Sequence, residues 1–257
     1  TALTRLVLPE SVKEIGGEAF QDCHQLTSVL FDKGLLYIKD HAFKNSGLAS
    51  LELPEGIKEI GEWSFEGCKS LKTIQIPLSV TTLGMGAFYT CSALESVVLP
   101  FSLTNIGDRT FNGCRHLSAV YYLGSSCPSL GQNTFVDVSN DFGVYVKPSA
   151  LPVLQGIAYV SDKVKGSFPY QQNSKYATFS RPFDVDFSAA TGLKAYIAKG
   201  NSGQSSVALT AVMTASAGTG LVLEATPNTV YQLRLADNAP QYADNALRVS
   251  TGTTVEA

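Results

Sequence analysis

Five cysteines and three histidines are the side chains of this 257-residue sequence best suited to nucleophilic or metal chemistry. Cys23, Cys68, Cys91 and Cys114 are spaced 45, 23 and 23 apart, and Cys127 stands outside that series. Zinc frameworks usually include a pair of ligands two to four residues apart, and no Cys pair here is that close. Disulfides fit poorly too, because equivalent positions hold Ser46 and Val138. The spacing suits a ladder of small buried thiols, each able to bond turn backbone weakly. Cys127 is left as a free thiol, and an enzyme reading would have to make it the nucleophile.

The histidines support no Cys–His or Ser–His–Asp arrangement. His24 and His116 follow ladder cysteines, at the position of Lys69 and Ser92, while His41 shares its place with Glu18, Trp63, Gly86 and Arg109. All three are expected on exposed turns. Asp184-Val185-Asp186 puts two carboxylates on one strand face, too few for a Ca²⁺ site. Gly200 to Gly203 lacks the P-loop lysine and the dinucleotide pattern, and Ala217 to Gly220 is most simply a turn. No catalytic residue, metal ligand or cofactor site is expected, and the chain is read as a non-enzyme.

The spacing of these residues belongs to a longer register. Phe20, Phe43, Phe65, Phe88, Phe111 and Phe135 are 23, 22, 23, 23 and 24 apart. Leu3, Leu26, Leu48, Leu71 and Leu94 each precede a Phe by seventeen residues, and Leu117 precedes its own by eighteen. Alternation such as Leu51-Glu52-Leu53 or Ile74-Gln75-Ile76 marks a short strand with one buried face. Pro9, Pro54, Pro77 and Pro100 close that strand, because proline cannot donate to a ladder. A second extended run such as Lys58-Glu59-Ile60 ends at Gly16, Gly61, Gly84, Gly107 or Gly131, and the Phe plugs the coil from the other side. One unit cannot bury its own apolar face, so the units must stack into a solenoid of six coils.

The segments LASLELPEGIKEIGEWSFEGC (48–68) and SALESVVLPFSLTNIGDRTFNGC (92–114) resemble the BspA-like, or Treponema-type, leucine-rich repeat of gut and oral anaerobic bacteria. The second repeat departs from the motif, with Asp32 in place of Pro and Ser46 in place of Cys, and the sixth is looser around Ser125 to Pro128. The resemblance implies a mainly β fold and an extracellular or bacterial cell-surface location. It also implies adhesion to a host extracellular or cell-surface protein, or to another bacterial surface protein.

The domain reading is a leucine-rich repeat solenoid with a C-terminal cap over 1–160, a linker over 161–182 and a small antiparallel, β-sandwich-like domain over 183–257. Gly143 to Val146 reads as a strand and Pro148 to Leu154 as a short helix sealing the last coil. Runs at Val185–Phe187, Leu193–Ile197, Ala208–Thr214, Leu221–Ala225 and Tyr231–Leu235 are the strands of the second domain. Its last run, Leu247 to Val249, leaves only eight residues, so the sheet is expected to be a strand short or truncated. Because Leu3 opens a full repeat with no cap before it, upstream sequence is expected in the natural protein.

The outward strand positions are Val7, Leu30, Glu52, Gln75, Val98 and Tyr121, one per coil and roughly 4.8 Å apart. Four of the six are apolar or aromatic, and such a stripe suits protein contact, with Leu30, Glu52, Gln75, Val98 and Tyr121 as the partner-binding set and Tyr121 as its anchor. Strand propensity alone would also select such residues. A glycan partner would instead use Tyr121, Tyr122, Trp63 or Tyr89 as platforms, although the sheet presents its aromatics singly. A structural spacer is a further alternative. The first 180 residues carry 14 basic and 16 acidic groups and the rest 5 and 6, so neither part has the basic excess that nucleic acid requires. No stretch approaches 18 consecutive apolar residues, so no transmembrane segment is expected in this chain.

Overall fold

The register of Leu, Ile and Phe becomes three parallel ladders in the computed structural model, which describes residues 3–150, 163–179, 181, 184–200, 207–216, 219 and 221–237. The chain divides into two units, Thr1–Tyr145 with Pro152–Val164, and Val146–Leu151 with Lys165–Ala257.

In the first unit all coils but the third contribute a longer strand to an outer sheet, and each coil contributes a two-residue strand to a second, continuous sheet. The second sheet is continuous through Glu14–Ile15, Tyr37–Ile38, Glu59–Ile60, Thr82–Leu83, Asn105–Ile106 and Ser129–Leu130, with the Ile or Leu of each strand paired to its equivalent in the next. The outer sheet is in two pieces. Arg5–Leu8 pairs with Ser28–Phe31, and Thr73–Gln75, Ser96–Leu99, Ala119–Tyr122, Gly143–Val146 and Val164–Lys165 form the other piece. The strand expected at Leu51-Glu52-Leu53 is therefore absent. Its alternation survives, with Leu51 buried and Glu52 exposed, but the second coil is one residue short and the third coil's ladder is broken there.

The third side has no strands, yet it is bonded just as regularly. Phe20, Phe43, Phe65, Phe88 and Phe111 each donate a backbone N–H to the small residue before the next Phe, at 2.7–3.1 Å. Two left-handed columns flank these bonds. One holds Glu18, His41, Trp63, Gly86, Arg109 and Asn133, and the other Asp22, Asn45, Gly67, Thr90, Gly113 and Asp137. The Phe rings stack face to face at centroid separations of 5.2–5.6 Å, with interplanar angles of 3–14°. Phe43, Phe65, Phe88 and Phe111 are fully buried, and each contributes roughly 1.5–3 kcal/mol on transfer from water.

The small residue before each Phe from Phe43 to Phe135 is buried as well. Thr110 donates its hydroxyl to the carbonyls of Gly107 and Gly84, and Thr134 donates to Gly131, but the Ser64 hydroxyl is buried with no partner among the described residues. An unpaired buried hydroxyl costs about 1–3 kcal/mol, and Ala already fills this place at residues 19, 42 and 87. Ser64→Ala should therefore leave stability unchanged or raise it by about 1 kcal/mol, read as the urea midpoint. A clear loss would mean that Ser64 has a partner after all.

The second unit is antiparallel. One sheet runs in the order Phe168–Gln171, Val230–Leu235, Val185–Asp186, Thr214–Ala215, and the other in the order Tyr176–Phe179, Leu221–Glu224, Lys194–Gly200, Val207–Val212. Tyr231, Leu233 and Leu235 point inward from one sheet, Leu221, Leu223, Ala195 and Ile197 from the other, and Phe179 meets Phe187 edge to face at 5.7 Å. The stretch 161–182, read as a linker, supplies two of these strands. Phe168 and Phe179 are buried within it, and their partners lie 40–65 residues away, where local composition does not reach. Pro148–Ala150 forms one 3₁₀ turn; the rest of the expected sealing helix, residues 201–203 of the Gly200 to Gly203 stretch and Leu247 to Val249 lie outside the described residues. Among the described residues no helix is long and apolar enough to cross a membrane.

Candidate functional site

The cysteine ladder forms as its spacing predicts. Cys68 donates its thiol to the carbonyl of Phe43 at 3.2 Å, Cys91 to Phe65 at 3.1 Å and Cys114 to Phe88 at 3.1 Å. Ser46 takes the ladder place in the second coil and lies 3.2 Å from the Cys68 sulfur. All five cysteines are free thiols. Burial pushes Cys68 up to about 11 and Cys114 up to about 12, and raises Cys91 as well. A thiol titrating near 11 instead of 9 holds roughly a hundredfold less thiolate at pH 8. Iodoacetamide on the native protein at that pH should leave Cys68, Cys91 and Cys114 intact while Cys23 and Cys127 react, as peptide mass mapping would show. These raised values have a stability consequence. Below pH 9 the thiols are neutral in both folded and unfolded chains; above it only the unfolded chain ionises, so stability falls as pH climbs from 9 toward 11–12.

Cys127 is half-buried, donates to the carbonyl of Pro128 at 3.0 Å, and has its thiol raised by burial, the opposite of an activated nucleophile. Its surroundings are an apolar cavity of about 40 Å³, lined by Leu99, Ile106, Tyr122, Leu130, Phe135 and others. His24 and His116 are exposed, with Nδ1 beside the carbonyls of Asn45 (2.8 Å) and Ser92 (2.6 Å). His41 departs from the exposed position expected of it: it is half-buried, with a buried Nδ1 that has no hydrogen-bond partner among the described residues. Asp186 spends its carboxylate on the backbone N–H of Ser188 at 2.8 Å, a local turn.

The outer stripe changes character along the solenoid. Val7 and Leu30 face each other in register and are 62% and 46% exposed. Glu52 and Gln75 are exposed as well. Gln75, Val98 and Tyr121 are likewise in register, but Val98 is only 7% exposed. Tyr121 is half-buried and stacks on the buried Tyr145 at 5.5 Å, where the next strand continues the column. The open part of the stripe is therefore its first four positions. Two residues missing from the sequence reading are Leu78 and Phe101, 49% and 63% exposed, where earlier coils place Glu10, Lys33 and Glu55. Comparing the coils column by column, instead of pattern by pattern, would have found them.

A leucine-rich repeat protein from Bacteroides ovatus is 26% identical over 57% of this chain and 44% of its own, with a TM-score of 0.45. The T. pallidum leucine-rich repeat protein is 27% identical over 64% of this chain and 86% of its own, with a TM-score of 0.48. A leucine-rich cell surface protein from Faecalibacterium prausnitzii is 16% identical over 59% and 62%, with a TM-score of 0.28. The chain thus spans less than half the length of the Bacteroides protein. No curated protein matches it significantly. The family model for the BspA type leucine-rich repeat region matches in six copies, so residues 1–118 belong to that repeat family.

Proposed function

We propose that this chain is a non-enzymatic binding protein of a bacterial cell surface, and that the outer face of its repeat sheet takes a protein partner. The observation that carries this is the open stripe, Val7 and Leu30 side by side and exposed, continued by Glu52 and Gln75. The paired strands of the first two coils hold Val7 and Leu30 at a fixed spacing, which leaves little backbone ordering for binding to meet. The surface location and an adhesive role rest on the BspA-type repeat family, and the partner is a host extracellular protein or another bacterial surface protein.

The test is binding of the whole chain to immobilised matrix proteins and to a glycan array, with Leu30→Glu as the probe variant. Leu30 is the better choice than Tyr121, because Tyr121→Ala would also remove a ring stacked on Tyr145. Saturable protein binding weakened at least tenfold by Leu30→Glu is expected, about the value of one buried leucine. Protein binding indifferent to Leu30→Glu would remove the sheet face from the account, and glycan binding alone would make the chain a sugar-capture protein.

A further inference from the structure

We propose a second site, on the turn side of coils three to five, that takes an acidic pyranose through Trp63, Tyr89, Arg109 and Asn112. The left-handed column supplies the first clue. It holds Glu18, His41, Gly86, Arg109 and Asn133, all small or polar, and then one bulky aromatic, Trp63 at φ 54. A bulky side chain at positive φ is strained, and such positions concentrate at functional sites. The indole lies where residue 86 would carry its side chain: a Cβ on Gly86 would stand 2.1 Å from the Trp63 Cε3. Tyr89 meets it at 80° with centroids 5.4 Å apart. Both rings remain half-buried rather than buried, so they form an aromatic corner at the surface.

The next coil supplies polar groups in the same two columns. Arg109 follows Gly86, and Asn112 follows Tyr89, one coil further along, a step of 5.5 Å measured between Phe88 and Phe111. Elsewhere on this side, cations are paired across neighbouring coils, Lys44 to Glu66 and Arg115 to Asp137, both at 3.0 Å. Arg109 is exposed and has no ion pair or side-chain hydrogen bond among the described residues. Asn112 spends one amide hydrogen on the carbonyl of Asn133 at 3.4 Å, which leaves its amide oxygen able to accept.

An apolar C–H face for the rings, hydroxyls for an amide and a carboxylate for a guanidinium are combined in a uronic-acid type of sugar. A neutral sugar would leave Arg109 unused, and a simple aliphatic ligand would leave both polar groups unused. The guanidinium fork matches a carboxylate in a bidentate way.

Trp63 is the single tryptophan of the chain, so its fluorescence reports this site directly. Titration with methyl β-D-glucuronide is expected to give a saturable change, and methyl β-D-glucoside, which carries a neutral hydroxymethyl group in place of the carboxylate, should bind about tenfold more weakly. Arg109→Gln, an exposed substitution that keeps the fold, should erase that difference. Leu30→Glu on the sheet face should leave the titration unchanged, so failure of this site and failure of the sheet-face reading are told apart. Absence of a saturable change at tens of millimolar glucuronide would overturn the proposal, as would equal affinity for the two sugars in the unaltered protein.

Discussion

Phe88→Ala should lower the unfolding free energy of the solenoid by about 3–5 kcal/mol, the usual cost of deleting a fully buried phenylalanine. Phe88 sits in the middle of the stack, 5.2 Å from Phe65 and 5.5 Å from Phe111, each within 5° of parallel. Its removal takes away two ring contacts as well as its own buried surface, and aromatic pairs add about 0.5–1.5 kcal/mol each beyond area. The backbone cannot close the gap. Phe88 N–H is held to Thr110 at 2.9 Å and Thr90 N–H to Asn112 at 2.8 Å, so the coil spacing is fixed on both sides of the void. Because each coil touches only its neighbours, the loss should weaken the coupling of coil four to coils three and five. Urea unfolding followed by Trp63 fluorescence should show a lower midpoint. A midpoint identical to that of the unaltered protein would contradict the stacked-plug account.

What could be read from residue types follows from how each feature is made. The Leu, Phe and Cys columns were visible because one residue type recurs where one buried space recurs, and the thiol bonds to the carbonyls of Phe43, Phe65 and Phe88 follow from that repetition. The break in the outer sheet at the third coil was not visible. Alternation in Leu51-Glu52-Leu53 reports which side is buried, whereas a strand also needs ladder bonds to a neighbour. The partial burial of Tyr121 was hidden because the sheet continues at Gly143–Val146, beyond the last coil that follows the motif, and brings Tyr145 beside it. The strands Phe168–Gln171 and Tyr176–Phe179 pair with segments far along the chain, and their polar neighbours mask them. The left-handed columns carried a usable signal, since Gly86 and Asn133 share a column with Trp63 and Arg109, and glycine and asparagine are the residues that tolerate that conformation.

Gly84→Ala should cost about 1–3 kcal/mol, through a different cause from the one usual for glycine. The φ of Gly84 is not in the left-handed region, so alanine is conformationally allowed there. The obstacle is the preceding coil. A Cβ on Gly84 would stand 2.5 Å from the carbonyl carbon of Gly61 and 2.6 Å from the amide nitrogen of Glu62. Gly107 meets Met85 N at 2.6 Å and Gly131 meets Asp108 N at 2.3 Å in the same way, so successive backbones approach closely along this column. The atoms in the way are backbone, bonded into the second sheet, and cannot swing aside as a flexible side chain would. Gly16 provides an internal control: it opens the same column, yet a Cβ there meets nothing within 4 Å. Gly16→Ala should therefore be neutral or stabilising by up to about 1 kcal/mol, because alanine narrows the unfolded ensemble equally at both sites. The difference between the two variants isolates the inter-coil collision, and equal thermal shifts would mean that the coils can part at this column without cost.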